Sequence, residues 1–271
     1  MSSVKLLTDS SACLPPGLSS RTSVHSIPIA ILLGSASLDD GPAQADRVYR
    51  GMARAEPTKS APPSLHHYLD AIEESDSDAV VILTPAVEFT VMYRNARLAA
   101  TMARRPVEVV DTRTAAAGQG LIVAIAVEAM DAGASALEVA EVARAAAQRT
   151  ELVASLPSLD SIEGSGHVPA TAFAGVVPRG SKPTFRFRDG VVAPLGRPVP
   201  ASDSDGLLRS AWREGGGDQA ERTLFFHAAS VGEAHRLRST CERDDPIVEF
   251  SPAMAVHTGL GCVGVAWTRA D

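Results

Sequence analysis

The sequence predicts an α/β protein of two domains, with a parallel sheet in the N-terminal domain and a mixed sheet in the C-terminal one. Three observations predict it. Over the first half, short β-branched runs alternate with segments of helical period, which is the rhythm of parallel strands joined by crossover helices. Past Leu156-Pro157 the composition changes, Gly, Pro and Ser recur, and the strand-like runs shorten. That second half also carries a tight hairpin signal, which only antiparallel pairing can use. A chain of 271 residues is long enough for two modest domains, and the boundary is placed so that they cover 1–156 and 157–271.

In order, residues 4–7 read as a first strand ending in Thr8-Asp9-Ser10-Ser11, and Leu14-Pro15-Pro16 opens a short helix or turn. Residues 26–33 read as a second strand. Ser64 is the expected N-cap of a helix over 65–74, which leads through acidic residues into a strand at 79–83. A helix at 93–104 and a strand at 107–110, ending at Asp111-Thr112, come next. Two Ala-rich helices, 118–131 and 135–149, are separated by Gly133. In the second half, strands at 184–188 and 191–194 flank Asp189-Gly190, a pair suited to the positive φ angles of a two-residue turn. Helices at 202–214 and 231–243 and strands at 223–228, 247–250 and 264–268 complete the reading. The Gly215-Gly216-Gly217 run is a loop.

Apolar residues make up 45% of the chain and charged residues 21%, which argues for a folded core. The formal net charge of −7, with arginine scattered along the chain, gives no basic field for nucleic acid. Three cysteines, Cys13, Cys241 and Cys262, have no metal-ligand spacing and cannot pair completely, so a reducing compartment is expected. The N-terminus lacks the apolar core of a signal peptide, and the longest apolar runs fall far short of the roughly 20 residues that span a bilayer. A cytoplasmic location is expected, with only transient membrane contact.

Chemistry is sought at the carboxyl ends of parallel strands, where ligands of open α/β sheets sit. Thr8-Asp9-Ser10-Ser11 follows the first strand, and Thr84 with Glu88 to Thr90 follows the strand at 79–83. Hydroxyls there can hold an anion, or can simply cap the helix that follows. His257-Thr258-Gly259-Leu260-Gly261 lies among small residues before the last strand, and its imidazole either meets a carboxylate or is an ordinary turn histidine. The chain carries no Gly-x-Ser-x-Gly elbow, Walker loop, Gly-x-Gly-x-x-Gly or His-Glu-x-x-His pattern. No catalytic residue and no cofactor are therefore assigned. His66-His67 are neighbours that point about 100° apart on a helix, a poor arrangement for one metal ion, so no metal is expected.

Several motifs, in this order, resemble those of the DegV family. They are Thr8-Asp9-Ser10-Ser11-Ala12-Cys13-Leu14-Pro15, Ile27-Pro28-Ile29 with Leu38-Asp39-Asp40-Gly41, and Lys59-Ser60-Ala61-Pro62-Pro63. Tyr93-Arg94-Asn95-Ala96-Arg97-Leu98-Ala99-Ala100, Val110-Asp111-Thr112, and Phe250-Ser251-Pro252 through His257-Thr258-Gly259-Leu260-Gly261 follow. The resemblance spans nearly the whole chain. It implies a non-enzymatic carrier that holds one long-chain fatty acid in an apolar tunnel between two α/β domains and presents the carboxylate to a fatty acid kinase. It also implies that Ser60, Thr90 and His257 surround the carboxylate; Thr258 is grouped with them, and Ser10 and Lys59 are candidate further head-group contacts, Lys59 either pairing with the anion or pointing to solvent from a loop.

The chain departs from the family at the head group. Lys59 and Ala61 stand where Thr and Gln of Thr-Ser-Gln-Pro-Ser are usual, and Thr90-Val91-Met92 replaces Ser-Gly-Thr. Gly164-Ser165-Gly166-His167 occupies the Gly-Gly-Arg region. These departures keep open an alternative, a DegV-like sensor of lipids or small molecules that has lost kinase coupling. A phosphotransferase would need a reactive His or Lys among phosphate-binding glycines, and His257 alone does not supply it.

Overall fold

The computed structural model describes residues 3–158 and 180–270. Its first sheet contains β1 (Val4–Asp9), β2 (Val24–Ile27), β6 (Ala79–Thr84) and β7 (Val107–Asp111), all parallel, in the order β2-β1-β6-β7. All six residues of β6 are buried, as the continuous apolar run of a doubly covered parallel strand requires. Helices α2 (Leu65–Glu73) and α3 (Met92–Met102) cover the Leu7 face, while α4 (Ala116–Asp131) and α5 (Ala136–Arg149) cover the Leu6 face. Ser64 and Ser135 cap α2 and α5 through capping boxes.

A small antiparallel sheet, ordered β4 (Ala36–Asp39), β3 (Ala30–Leu33) and β5 (Thr58–Ala61), lies beside helix α1 (Ala45–Ala53). Here the structure corrects the reading of 26–33 as one strand. Pro28 has no N–H to give to a ladder, so the segment divides, and β2 joins the parallel sheet while β3 joins the antiparallel one. Helix α1 does carry helical spacing in Val48, Tyr49 and Met52, which pack on the core although only Val48 and Gly51 are buried, whereas β5 reads Thr-Lys-Ser-Ala and gives no apolar period.

The second sheet has the order β11 (Val191–Pro194), β10 (Thr184–Arg188), β8 (Thr150–Ser155), β15 (Val263–Arg269), β13 (Ala220–His227), β14 (Ile247–Glu249). Among its described strands only β13 and β14 pair in parallel, so the sheet is mixed. Strands β9 (Ser181–Lys182) and β12 (Val199–Pro200) pair separately. The chain enters this sheet at Thr150, ahead of the compositional change at Leu156-Pro157, because β8 follows α5 directly with no turn residue to mark it. At the β10–β11 turn, Asp189 and Gly190 both take positive φ, 48° and 74°. Helices α6 (Ser204–Glu214) and α7 (Val231–Thr240) cover the outer face with Trp212, Leu208 and Leu237.

Among the described elements that tie the sheets together, two matter for the site. Helix α4 packs on β1 and β6 of one sheet and on β8, β13 and β15 of the other. A helix apolar on all sides belongs between two layers, and α4 buries residues on its whole circumference. Small side chains let it come close, and a Cβ on Gly120 would lie 1.9 Å from the Cys13 carbonyl oxygen. The second tie is α8 (Pro252–Thr258), which leaves β14 and packs on β3, β5 and α1.

Candidate functional site

A cavity of about 930 Å³ lies between the sheets. Its apolar wall takes Leu152, Phe185, Phe187 and Phe226 from the second sheet, Ala116 from α4, and Phe250 and Met254 around α8. Aromatic pairs stiffen this wall: Phe226 stacks on Phe250 with ring centroids 4.9 Å apart, and Phe89 meets Phe187 at 4.7 Å. The polar side is formed by β5, the last turn of α8 and the residues before α3.

His257 and Ser60, far apart in sequence, meet there, with His257 Nε2 2.6 Å from Ser60 Oγ. Strand register explains the placement of Ser60, which pairs with the buried Ile31, whereas Lys59 pairs with the exposed Leu32. Lys59 therefore sits exposed at the rim of the same cavity, on strand β5. Thr90 also lines the cavity, and its Oγ1 accepts a hydrogen bond from Met92 N at 3.3 Å. Thr258 lines it too, but its hydroxyl turns back to donate to the Met254 carbonyl at 3.2 Å.

Ser10 is the exception. Its Oγ accepts from Ile29 N at 3.0 Å and bonds Asp40, and the neighbouring Ser11 reaches the cavity instead. Successive side chains leaving a strand point to opposite sides, so a one-residue choice decides which hydroxyl faces the ligand space. His66 and His67 are exposed on α2, and His67 Nδ1 accepts from Ser64 N at 3.1 Å. The Gly164-Ser165-Gly166-His167 segment lies outside the described residues.

Two buried carboxyls beneath the polar side escaped the reading of the sequence as functional groups. Asp40 Oδ1 accepts from Ala253 N, in the first turn of α8, at 2.9 Å. Burial holds its pKa above the ordinary carboxylate value, opposed by hydrogen bonds from Ser10, Ala253 and Ser251. Asp40 thus fixes the helix that carries His257. Its signal was present as Leu38-Asp39-Asp40-Gly41, but an acidic turn alone does not announce a partner 213 residues away. The second carboxyl is Asp9, wholly buried, which accepts from Ser11 N at 2.9 Å, from the Ser11 hydroxyl, and from Gln119 Nε2 at 2.9 Å. Burial raises its pKa, and the hydrogen bonds from Ser11 and Gln119 oppose that rise.

Chemically, the arrangement offers two hydrogen-bonding groups at one side of an apolar volume. If His257 Nε2 carries the proton, it donates a hydrogen bond to Ser60 Oγ, whose own hydroxyl proton can then turn to an anion; in the other tautomer Ser60 donates to the ring. Among the described residues, no group of three or more His, Cys, Asp or Glu side chains is arranged to hold a metal ion. No described helix is long and apolar enough to cross a membrane.

A DegV domain-containing protein of Mycobacterium tuberculosis is 28% identical over 273 residues, covering 97% of this chain and 96% of that one. The chain is also similar to the crystal structure of a DegV lipid-binding protein from Thermotoga maritima, with a TM-score of 0.88, 24% identity and 98% of each chain covered. A fatty-acid-binding DegV family protein of Streptococcus agalactiae superposes with a TM-score of 0.89 at 21% identity over the full length of both chains. At such identities these likenesses establish the α/β fold. A family model described as an uncharacterised protein of the DegV family matches residues 3–270, and the chain belongs to that family.

Proposed function

We propose that this protein is a carrier, without catalysis of its own, that holds one long-chain fatty acid in the cavity between its two sheets. Each sheet with its helices is taken as a domain. The observation that carries the reading is the junction of opposites: an apolar volume of about 930 Å³ with Ser60 and His257 bonded to each other at its polar side. A carboxylate buried without hydrogen bonds is costly, and these two groups, with Thr90 lining the same cavity, answer that cost. Each methylene buried against the phenylalanine wall contributes about 0.8 kcal/mol. The T. maritima relative is a lipid-binding protein and the S. agalactiae one binds fatty acid, which supports the same ligand class.

The carboxylate is held at Ser60 and His257, with Thr90 and Thr258 beside it and the Lys59 ammonium at the rim. From there it is presented to a partner such as a fatty acid kinase in the cytoplasm. Mass spectrometry of lipid extracted from the purified protein tests the reading. Stoichiometric long-chain fatty acid is expected, and a protein that neither carries nor takes up any would overturn it in favour of a sensor of another small molecule.

A further inference from the structure

Arg113 joins two segments that are remote in sequence. Its Nη1 donates to Glu88 Oε1 at 2.5 Å, in the loop between β6 and α3. Its Nε donates to Asp189 Oδ1 at 3.0 Å, and its Nη2 to the Asp189 carbonyl at 2.6 Å, at the tip of the β10–β11 hairpin. Backbone closes the same joint, since Gly190 N donates to the Arg113 carbonyl at 2.7 Å. Arg113 itself (φ 55°) and Asp189 (φ 48°) both occupy the left-handed region that non-glycine residues seldom adopt. A Cβ on Gly190 would stand 2.7 Å from the Glu88 carboxylate, so loop and hairpin tip are in direct apposition.

Both sides of this joint are cavity wall. Glu88 and Phe89 line the cavity from the loop, and Phe187 and Val192 line it from the hairpin. The charges are unequal, because one guanidinium faces three carboxylates: Glu88, Asp189, and Asp111 with Oδ2 3.9 Å from Nη1. Side-chain exposures of 33% for Arg113, 40% for Glu88 and 74% for Asp189 leave each pair screened and individually weak. With the arginine present, attraction closes the joint. Without it, the three carboxylates repel one another across the joint, against the one backbone hydrogen bond that remains.

We propose that Arg113 is the positioning residue of a gate, in which the Glu88–Phe89 loop and the β10–β11 turn part to admit and release the ligand's apolar chain. The proposal rests on the reading that the cavity holds an acyl chain. It implies a sign reversal that a purely structural role would not produce. Salt screens attraction in the wild type and so speeds release, whereas in Arg113→Met salt screens repulsion and so slows it.

Release is measured by stopped flow for two probes, a long-chain fatty acid and the uncharged hydrocarbon diphenylhexatriene, at about 0.01 and 1 M salt, where the Debye length is roughly 30 and 3 Å. At low salt, Arg113→Met is expected to release both probes about five- to thirtyfold faster than wild type, with the salt effect inverted and Arg113→Lys intermediate. Equal release rates, or a salt effect of the same sign in both proteins, would overturn the gate. Should Arg113→Met not fold, Glu88→Gln removes one ion pair and keeps the backbone joint, and its release must be faster and less salt-dependent than wild type for the proposal to stand. Inversion seen with the hydrocarbon in a protein that binds no fatty acid would keep the gate and reject the lipid reading. Fatty-acid binding without inversion would do the reverse.

Discussion

Asp40→Ala removes the acceptor that holds the first turn of α8, and its effect can be worked from the structure. Asp40 is 6% exposed, and Ala253 N, its partner at 2.9 Å, is buried with it. Leaving a buried donor unpaired costs about 1–3 kcal/mol, so the variant should lose that much stability in urea unfolding. Asp40→Asn keeps an acceptor oxygen and escapes the cost of burying a charge, so its loss should be the smaller. Fatty-acid affinity should fall as well, because α8 carries His257 to Ser60. That loss has a ceiling. If Asp40 acts through α8, it cannot remove more head-group energy than deleting His257 does, about 1.5–3 kcal/mol or roughly ten- to a hundredfold in affinity. In a double-mutant cycle the Asp40→Ala and His257→Ala losses in affinity should therefore fail to add. Full additivity, or unchanged affinity in Asp40→Ala, would refute the idea that this carboxyl positions the site.

Other outcomes follow from the same geometry. Burial raises the Asp9 pKa, so the folded state binds the extra proton and this group's favourable contribution is lost as pH rises from the ordinary carboxylate value through the folded one. Asp9→Asn should accordingly gain stability on wild type as pH rises above about 4, with urea midpoints across pH as the check; Gln119 Oε1, buried without a hydrogen-bond partner, can take the new amide's proton after a flip. Gly120→Ala should destabilise by about 1–3 kcal/mol or more in thermal unfolding, since its Cβ would meet the Cys13 backbone at 1.9 Å and α4 is held between two sheets. Lys59→Met should weaken fatty-acid binding modestly and flatten its salt dependence if the rim ammonium contributes by charge alone; an unchanged salt slope in titrations would remove Lys59 from the head-group site. Burial pushes the Cys241 and Cys262 thiols up to about 12, and a maleimide at about pH 8 should label neither until the protein is unfolded.

Much of the fold was legible because local signals and tertiary demands coincide. The Ser64 and Ser135 caps, the Asp189-Gly190 turn and the apolar run of β6 each state in a few residues what the packing then uses. Where burial is decided by distant partners, the sequence is silent. β5 is polar and exists because β3 pairs with it, and β8 lacks a turn before it because α5 runs straight into the second sheet. The pairing of Ser60 with His257 was readable through the order of family motifs, not through spacing. The motifs point to Ser10 at the head group whereas Ser11 is the hydroxyl that lines the cavity, because motif order does not resolve the side to which a strand-end residue turns. Asp40 and Arg113 were not recognised at all as organising residues, since each acts across the two halves and shows locally only as an acidic turn and a lone basic residue.

The most direct test of the central claim compares a long-chain fatty acid with its methyl ester, titrated calorimetrically into wild type and into His257→Ala. The ester keeps the chain and removes the charge. In wild type, the acid should bind roughly ten- to a hundredfold more tightly than the ester, and in His257→Ala most of that difference should vanish while the ester's own affinity stays put. Equal affinities for acid and ester in the wild type, or an acid preference untouched by His257→Ala, would contradict a carboxylate held at Ser60 and His257.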